Sequence, residues 1–104
     1  MRISVSSPGK HLEPAEIDRI ERDLDKIDRR LHEHNEVAAI VRIAETRGVP
    51  GWHVTLELDY GRTHLIAKAD SNDMGQAVRA AREEILRQIN DRSRRGHSWF
   101  AKRR

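Results

Sequence analysis

Ile17, Ile20, Leu24, Ile27 and Leu31 follow one another at spacings of 3, 4, 3 and 4 residues. That period puts them on one stripe of an α-helix of roughly five turns. The helix can begin at Pro14, because the missing proline N–H costs nothing in a first turn. Glu13, Glu16, Asp18 and Glu21 gather in its first half, where the helix dipole favours acids. Upstream, Arg2 to Ser6 alternates with Ile3 and Val5 on one side, and reads as a short strand broken by Ser7-Pro8-Gly9. His32 to Glu36 is a polar exit from the helix.

The period then changes to two. Val37 to Glu45 is apolar on both faces for half its length, as in a central strand. After the turn residues Gly48-Val49-Pro50-Gly51, Trp52, Val54, Leu56, Leu58 and Tyr60 alternate with His53, Thr55, Glu57 and Asp59. Tyr60-Gly61-Arg62-Thr63 is a tight hairpin signal. Closure around Gly61-Arg62 sets Leu58 opposite Leu65 and Asp59 opposite His64. The next strand, Thr63 to Asp70, turns Leu65, Ala67 and Ala69 inward. Ser71-Asn72-Asp73 supplies caps for a second helix, with Met74, Ala77, Val78, Ala81, Ile85 and Ile89 as its inner stripe. This helix is expected to fray near Arg92 to Gly96.

The order is β-α-β-β-β-α. The first strand and helix make a crossover to a parallel strand, and the remaining strands form an antiparallel meander. Both helices must bury a stripe, so the expected α+β fold is a four-stranded sheet with two helices packed on one face. The division is a single domain over 1–95 and a flexible basic tail over 96–104. A chain of 104 residues has room for one modest core. It has no cysteine, which excludes disulfides, thiolate metal sites and thiol nucleophiles. There is no run of 18 apolar residues and no signal-peptide core, so a cytoplasmic protein without a membrane partner is expected.

Charge is separated along the chain. From Arg79 to Arg104 there are nine Arg and Lys against three acids, whereas residues 1–78 carry eleven bases and fourteen acids. On the first helix, Arg19, Arg22, Lys26, Arg29 and Arg30 fall within about 100° of arc, opposite the Ile/Leu stripe. The bland account is a solvated face with pairs such as Asp18–Arg22 and Asp25–Arg29. Against it, Arg22–Lys26 and Lys26–Arg30 are like-charged neighbours at i, i+4, a repulsion that a phosphate backbone would relieve. On the second helix, Arg79, Glu83 and Arg87 have the spacing of a self-satisfied ladder, and Arg82 sits at the edge of the buried stripe. Arg92, Arg94, Arg95, Lys102, Arg103 and Arg104 have only Asp91 to answer them. Trp99-Phe100 among these bases can stack on unpaired bases or pack on the domain's own surface. Two positive helical faces on one small domain point to nucleic acid before an enzyme.

Asp70-Ser71-Asn72-Asp73-Met74, then Ala77-Val78 and Arg87-Gln88-Ile89, together with the element order, resemble the family of ribosome hibernation-promoting factors and ribosome-associated inhibitors, the ribosomal subunit interface proteins. The resemblance spans nearly all of residues 1–95. It implies a partner, the small ribosomal subunit with its RNA, bound in the decoding channel. It also implies shut-off of translation and preservation of idle ribosomes in slow growth. By position it carries phosphate contacts to Arg22, Lys26 and Arg29 on the first helix and to Arg87, Arg94 and Arg95 on the second. Arg30, Arg79, Arg82 and Arg92 complete the candidate RNA-binding set. Glu84 and Asp91 stand where the family often has lysines. Beside the long members, which pair ribosomes through a C-terminal domain, the chain looks like a short form or a divergent relative with a changed partner. The protein is expected to be a monomer off the ribosome, with no cofactor and no small-molecule substrate. The alternatives are a double-stranded-RNA-binding-like module or a protein-interaction module of similar fold.

Enzyme chemistry finds little footing. His32-Glu33-His34 has its histidines two apart, whereas the helical zinc motif needs them four apart. Asp59 and His64 can orient an imidazole, but no serine is placed as a nucleophile, which leaves a solvated ion pair. A small hydrolase would have to rest on His32, His34 or His64.

Overall fold

The turn at Gly61-Arg62 sets the frame. Gly61 has φ of 57°, in the left-handed region that suits glycine, and Tyr60 pairs with Thr63 across the two-residue loop. That register aligns β3 (Trp52–Tyr60) with β4 (Thr63–Ser71), with Leu58 opposite Leu65 and Asp59 opposite His64, as the sequence predicts. β2 (Val37–Glu45) pairs antiparallel with the other side of β3 and parallel with β1 (Arg2–Ser6). The sheet order is β1-β2-β3-β4. The computed structural model describes residues 1–46, 48 and 50–102, with side chains as far as Ser93.

Inward residues of β2, β3 and β4 meet the apolar stripes of the helices. Val41, Ile43, Val54, Leu56 and Leu58 face Leu24, Ile27, Val78, Ala81 and Ile85 in one buried cluster. Each large side chain there contributes roughly 1.5–3 kcal/mol by leaving water. Ala77 and Ala81 are fully buried, and their small size lets the last helix lie close to β3 and β4. The opposite sheet face is uncovered, and carries Ile40 and Ile66 as exposed apolar residues.

The first helix differs from expectation in one respect. It is two segments, α1 (Pro14–Asp23) and α2 (Asp25–Arg30), hinged at Leu24 with φ of −85° and ψ of −5°. The cause lies across the helix layer. Arg82 Nη1 donates to the Asp23 carbonyl at 3.1 Å, and the Ile27 N–H turns to Leu24 O at 3.0 Å. A side chain inserted into the backbone ladder breaks it at that step. The stripe survives the break, since Ile20, Leu24, Ile27 and Leu31 are all buried. At the start of α1, Glu13 N–H donates to Glu16 Oε1 at 3.0 Å, and Pro14 takes the first helical position.

α3 runs from Met74 to Lys102. Asp73 caps it: its Oδ1 accepts from Gly75 N at 3.0 Å and its carbonyl from Ala77 N at 3.0 Å. The helix therefore runs past the fraying point expected at Arg92 to Gly96. The chain has no proline beyond Pro50, and a single glycine such as Gly96 costs a helix only about 1 kcal/mol. Arg103 and Arg104, at the end of the expected tail, lie outside the described residues.

Candidate nucleic-acid interface

α1–α2 and α3 lie side by side on one face of the sheet, and three side chains cross the seam between them. Besides Arg82 to the Asp23 carbonyl, Arg79 Nη1 lies 3.6 Å from Asp23 Oδ2, and Arg30 Nε donates to Asn90 Oδ1 at 3.2 Å. The outward surfaces of the two helices are thus one continuous face.

The candidate cations divide into three groups on that face. Arg22 and Lys26, with Arg19 beside them, are exposed on α1–α2 and make no ion pair among the described residues. The proposed Asp18–Arg22 pair is absent from those contacts. Arg29 is exposed but pairs with Asp25 at 3.0 Å, as the i, i+4 spacing predicts. Arg30, Arg79 and Arg82 make the seam contacts. Arg82 is only 13 % exposed and reaches Glu83 as well, at 2.9 Å.

Arg87 is the third case. It is well exposed, yet its Nη2 lies 2.7 and 2.6 Å from the two carboxylate oxygens of Glu84, its Nε 3.1 Å from Oε1, and its Nη1 3.5 Å from Asp91. The Arg79–Glu83–Arg87 ladder read from the spacing does not form, because each member has another partner. The Arg87 hydrogen bonds, helped by Gln88, hold the Glu84 carboxyl below the usual carboxylate range, and Glu84 in turn raises the Arg87 guanidinium. Arg92 is exposed one residue beyond Asp91. Arg94 and Arg95 lie on the α3 backbone, but their side chains, like those of Trp99 and Phe100, lie outside the described set.

Sequence reasoning did not find the seam. Asn90 and Asp23 carry no signal that marks them as partners of arginines some 60 positions away.

The histidines go separate ways. His32 Nδ1 donates to the Arg29 carbonyl at 3.0 Å, closing the end of α2, while His34 stands edge-on to Tyr60. On the uncovered sheet face His64 Nδ1 lies 2.6 Å from Asp59 and its Nε2 3.6 Å from Glu57. The same register places His53 2.7 Å from Asp70, a second cross-strand pair that follows from the same turn. Among the described residues, no three His, Asp or Glu side chains converge to hold a metal ion. No helix there is long and apolar enough to cross a membrane.

No protein-family model and no curated protein matches the chain. Solved structures do. The Protein Y N-terminal domain of Thermus thermophilus superposes with a TM-score of 0.73 at 18 % identity, over 86 % of this chain and 96 % of that one. A ribosomal subunit interface protein from Coxiella burnetii superposes with a TM-score of 0.72 at 20 % identity, over 89 % of this chain and 98 % of that one. The parallel first crossover, the three-strand meander and the paired helices are therefore the fold of the Protein Y N-terminal domain and of this ribosomal subunit interface protein.

Proposed function

We propose that this protein binds the small ribosomal subunit through the outward face of α1–α2 and α3, and holds ribosomes idle. The observation that carries the reading is the pair Arg22 and Lys26. They are like-charged, four residues apart across the Leu24 hinge, exposed, and in no ion pair among the described residues. Two like charges so placed repel weakly in isolation and are stabilised when phosphates lie across them. The likeness of the whole fold to a ribosomal subunit interface protein supports the same partner.

On this reading Arg22, Lys26 and Arg29 contact ribosomal RNA near the decoding channel, joined from α3 by Arg92, Arg94 and Arg95. Arg30, Arg79 and Arg82 act by holding the two helices as one rigid platform. A rigid helical surface recognises folded RNA by the positions of its phosphates more than by base sequence. Occupation of the channel excludes messenger and transfer RNA, which is the inhibition, with no chemical step.

Co-sedimentation of the purified protein with separated subunits at two salt concentrations tests this. Roughly six phosphate contacts predict binding to the small subunit that weakens about 300- to 2,000-fold between 50 and 200 mM salt. Binding that ignores salt would move the interface to an apolar surface, for which Ile40 and Ile66 on the uncovered sheet face are the available residues. Absence of binding at both concentrations would end the ribosomal reading.

A further inference from the structure

The polyanion face has an open half and a guarded half. The open half is α1–α2, where Arg22 and Lys26 make no ion pair among the described residues, although Asp18, Glu21 and Asp25 line the surface beside Arg22 and Asp25 pairs with Arg29. The guarded half is α3, where Arg87 is held between Glu84 and Asp91.

Glu84 is not a loose surface acid. Both of its oxygens accept from Arg87, and Oε2 also accepts from Gln88 Nε2 at 3.0 Å. The same Gln88 nitrogen donates to the Ile66 carbonyl on the β4 edge at 3.0 Å. The carboxylate is thus tied to the sheet through one side chain, and only a third of its surface is exposed. A phosphate that approaches Arg87 competes with these hydrogen bonds for the guanidinium. It also meets two negative groups well inside the screening length of about 8 Å at physiological salt.

We propose that Glu84 and Asp91 are specificity-determining residues: they withhold Arg87 from phosphate and confine productive contact to polyanions whose phosphates reach Arg22 and Lys26 while sparing the middle of α3. This deepens the proposed function and rests on that reading. Flexible polyanions neutralise whatever cations they can track, so they are drawn across both helices and run into the two carboxylates. A folded RNA presents phosphates at fixed positions and can engage one half without the other. The acids lower affinity for the common competitors more than for the shaped partner, which is how an unfavourable contact creates selectivity.

The test compares wild type, the isosteric double variant Glu84→Gln/Asp91→Asn, Arg87→Gln, and the triple combination. Each is titrated by fluorescence anisotropy against a labelled single-stranded homopolymer RNA over a salt series, and by co-sedimentation against small subunits. The double variant is expected to bind homopolymer about 5- to 10-fold more tightly at low salt, with a salt slope steeper by about one unit, the signature of one added phosphate contact. Its affinity for small subunits should rise less, so its preference for the subunit falls. Arg87→Gln should weaken homopolymer binding slightly in the wild-type background without changing its salt slope, and should remove the added unit of slope in the double-variant background.

Unchanged homopolymer affinity and slope in the double variant would overturn the proposal, even with salt-sensitive wild-type binding to subunits. An equal rise for homopolymer and subunit would overturn it too, since the acids would then only scale affinity. A homopolymer gain in a protein that never binds subunits would uphold the guarding of Arg87 and overturn the ribosomal partner instead.

Discussion

Arg82 reaches from α3 to the main-chain carbonyl of Asp23, 59 residues earlier, and donates to it at 3.1 Å. The contact accounts for the break between α1 and α2 and ties α3 to the hinge between them. It also marks Arg82 as an arginine of the scaffold. Arg82→Ala should destabilise the fold by about 1.5–3 kcal/mol, the range for a hydrogen bond to a charged donor. Arg22→Ala, on the open surface, should stay within about 0.5 kcal/mol of wild type. Urea denaturation separates the two; equal effects would contradict the division of the arginines.

Leu24 sits at the hinge and is fully buried. Leu24→Ala should lower stability by about 2–5 kcal/mol, because it removes core and leaves a cavity under both helical segments. An unchanged thermal midpoint would place the helix stripe wrongly.

Gly61→Ala puts a Cβ on a residue with φ of 57°. Nothing lies within 4 Å of that position, so the effect is backbone strain alone, about 1–2 kcal/mol. A loss of that size by denaturation, with the sheet intact by circular dichroism, is the expected result. Full stability would mean the hairpin tolerates another turn.

The fold was legible because its signals are local. The stripe from Ile17 to Leu31, the alternation from Trp52 to Tyr60 and the Gly61-Arg62 turn together fix element types, order and strand register. The break at Leu24 was not legible, since it depends on a guanidinium delivered from the other helix. The site was half legible for the same reason. Helical periodicity shows which arginines point outward on α1–α2. Which of them are already engaged depends on tertiary partners such as Asp23 and Asn90, and on whether Arg87 takes Glu84 or Glu83.

The Arg87–Glu84 pair should leave a trace in the pH dependence of stability. The Glu84 carboxyl is depressed in the folded state by the Arg87 hydrogen bonds first and Gln88 second. A depressed folded value contributes stability that is fully present above the unfolded value and is lost as pH falls through the folded one. The difference in denaturation midpoint between wild type and Glu84→Gln should therefore be small, largest near neutral pH, and gone below the carboxylate range. A gap that persists unchanged down to about pH 2.5 would assign it to packing and not to charge.

The central claim is that the unpaired cations of α1–α2 bind ribosomal RNA. The most direct measurement is co-sedimentation of Arg22→Glu/Lys26→Glu with small subunits beside wild type, after the thermal midpoints have been matched. The account predicts salt-sensitive binding by wild type and loss of at least about 50-fold in the charge-reversed protein, since two phosphate contacts become two repulsions. Equal sedimentation of the two folded proteins would contradict it and remove α1–α2 from the interface.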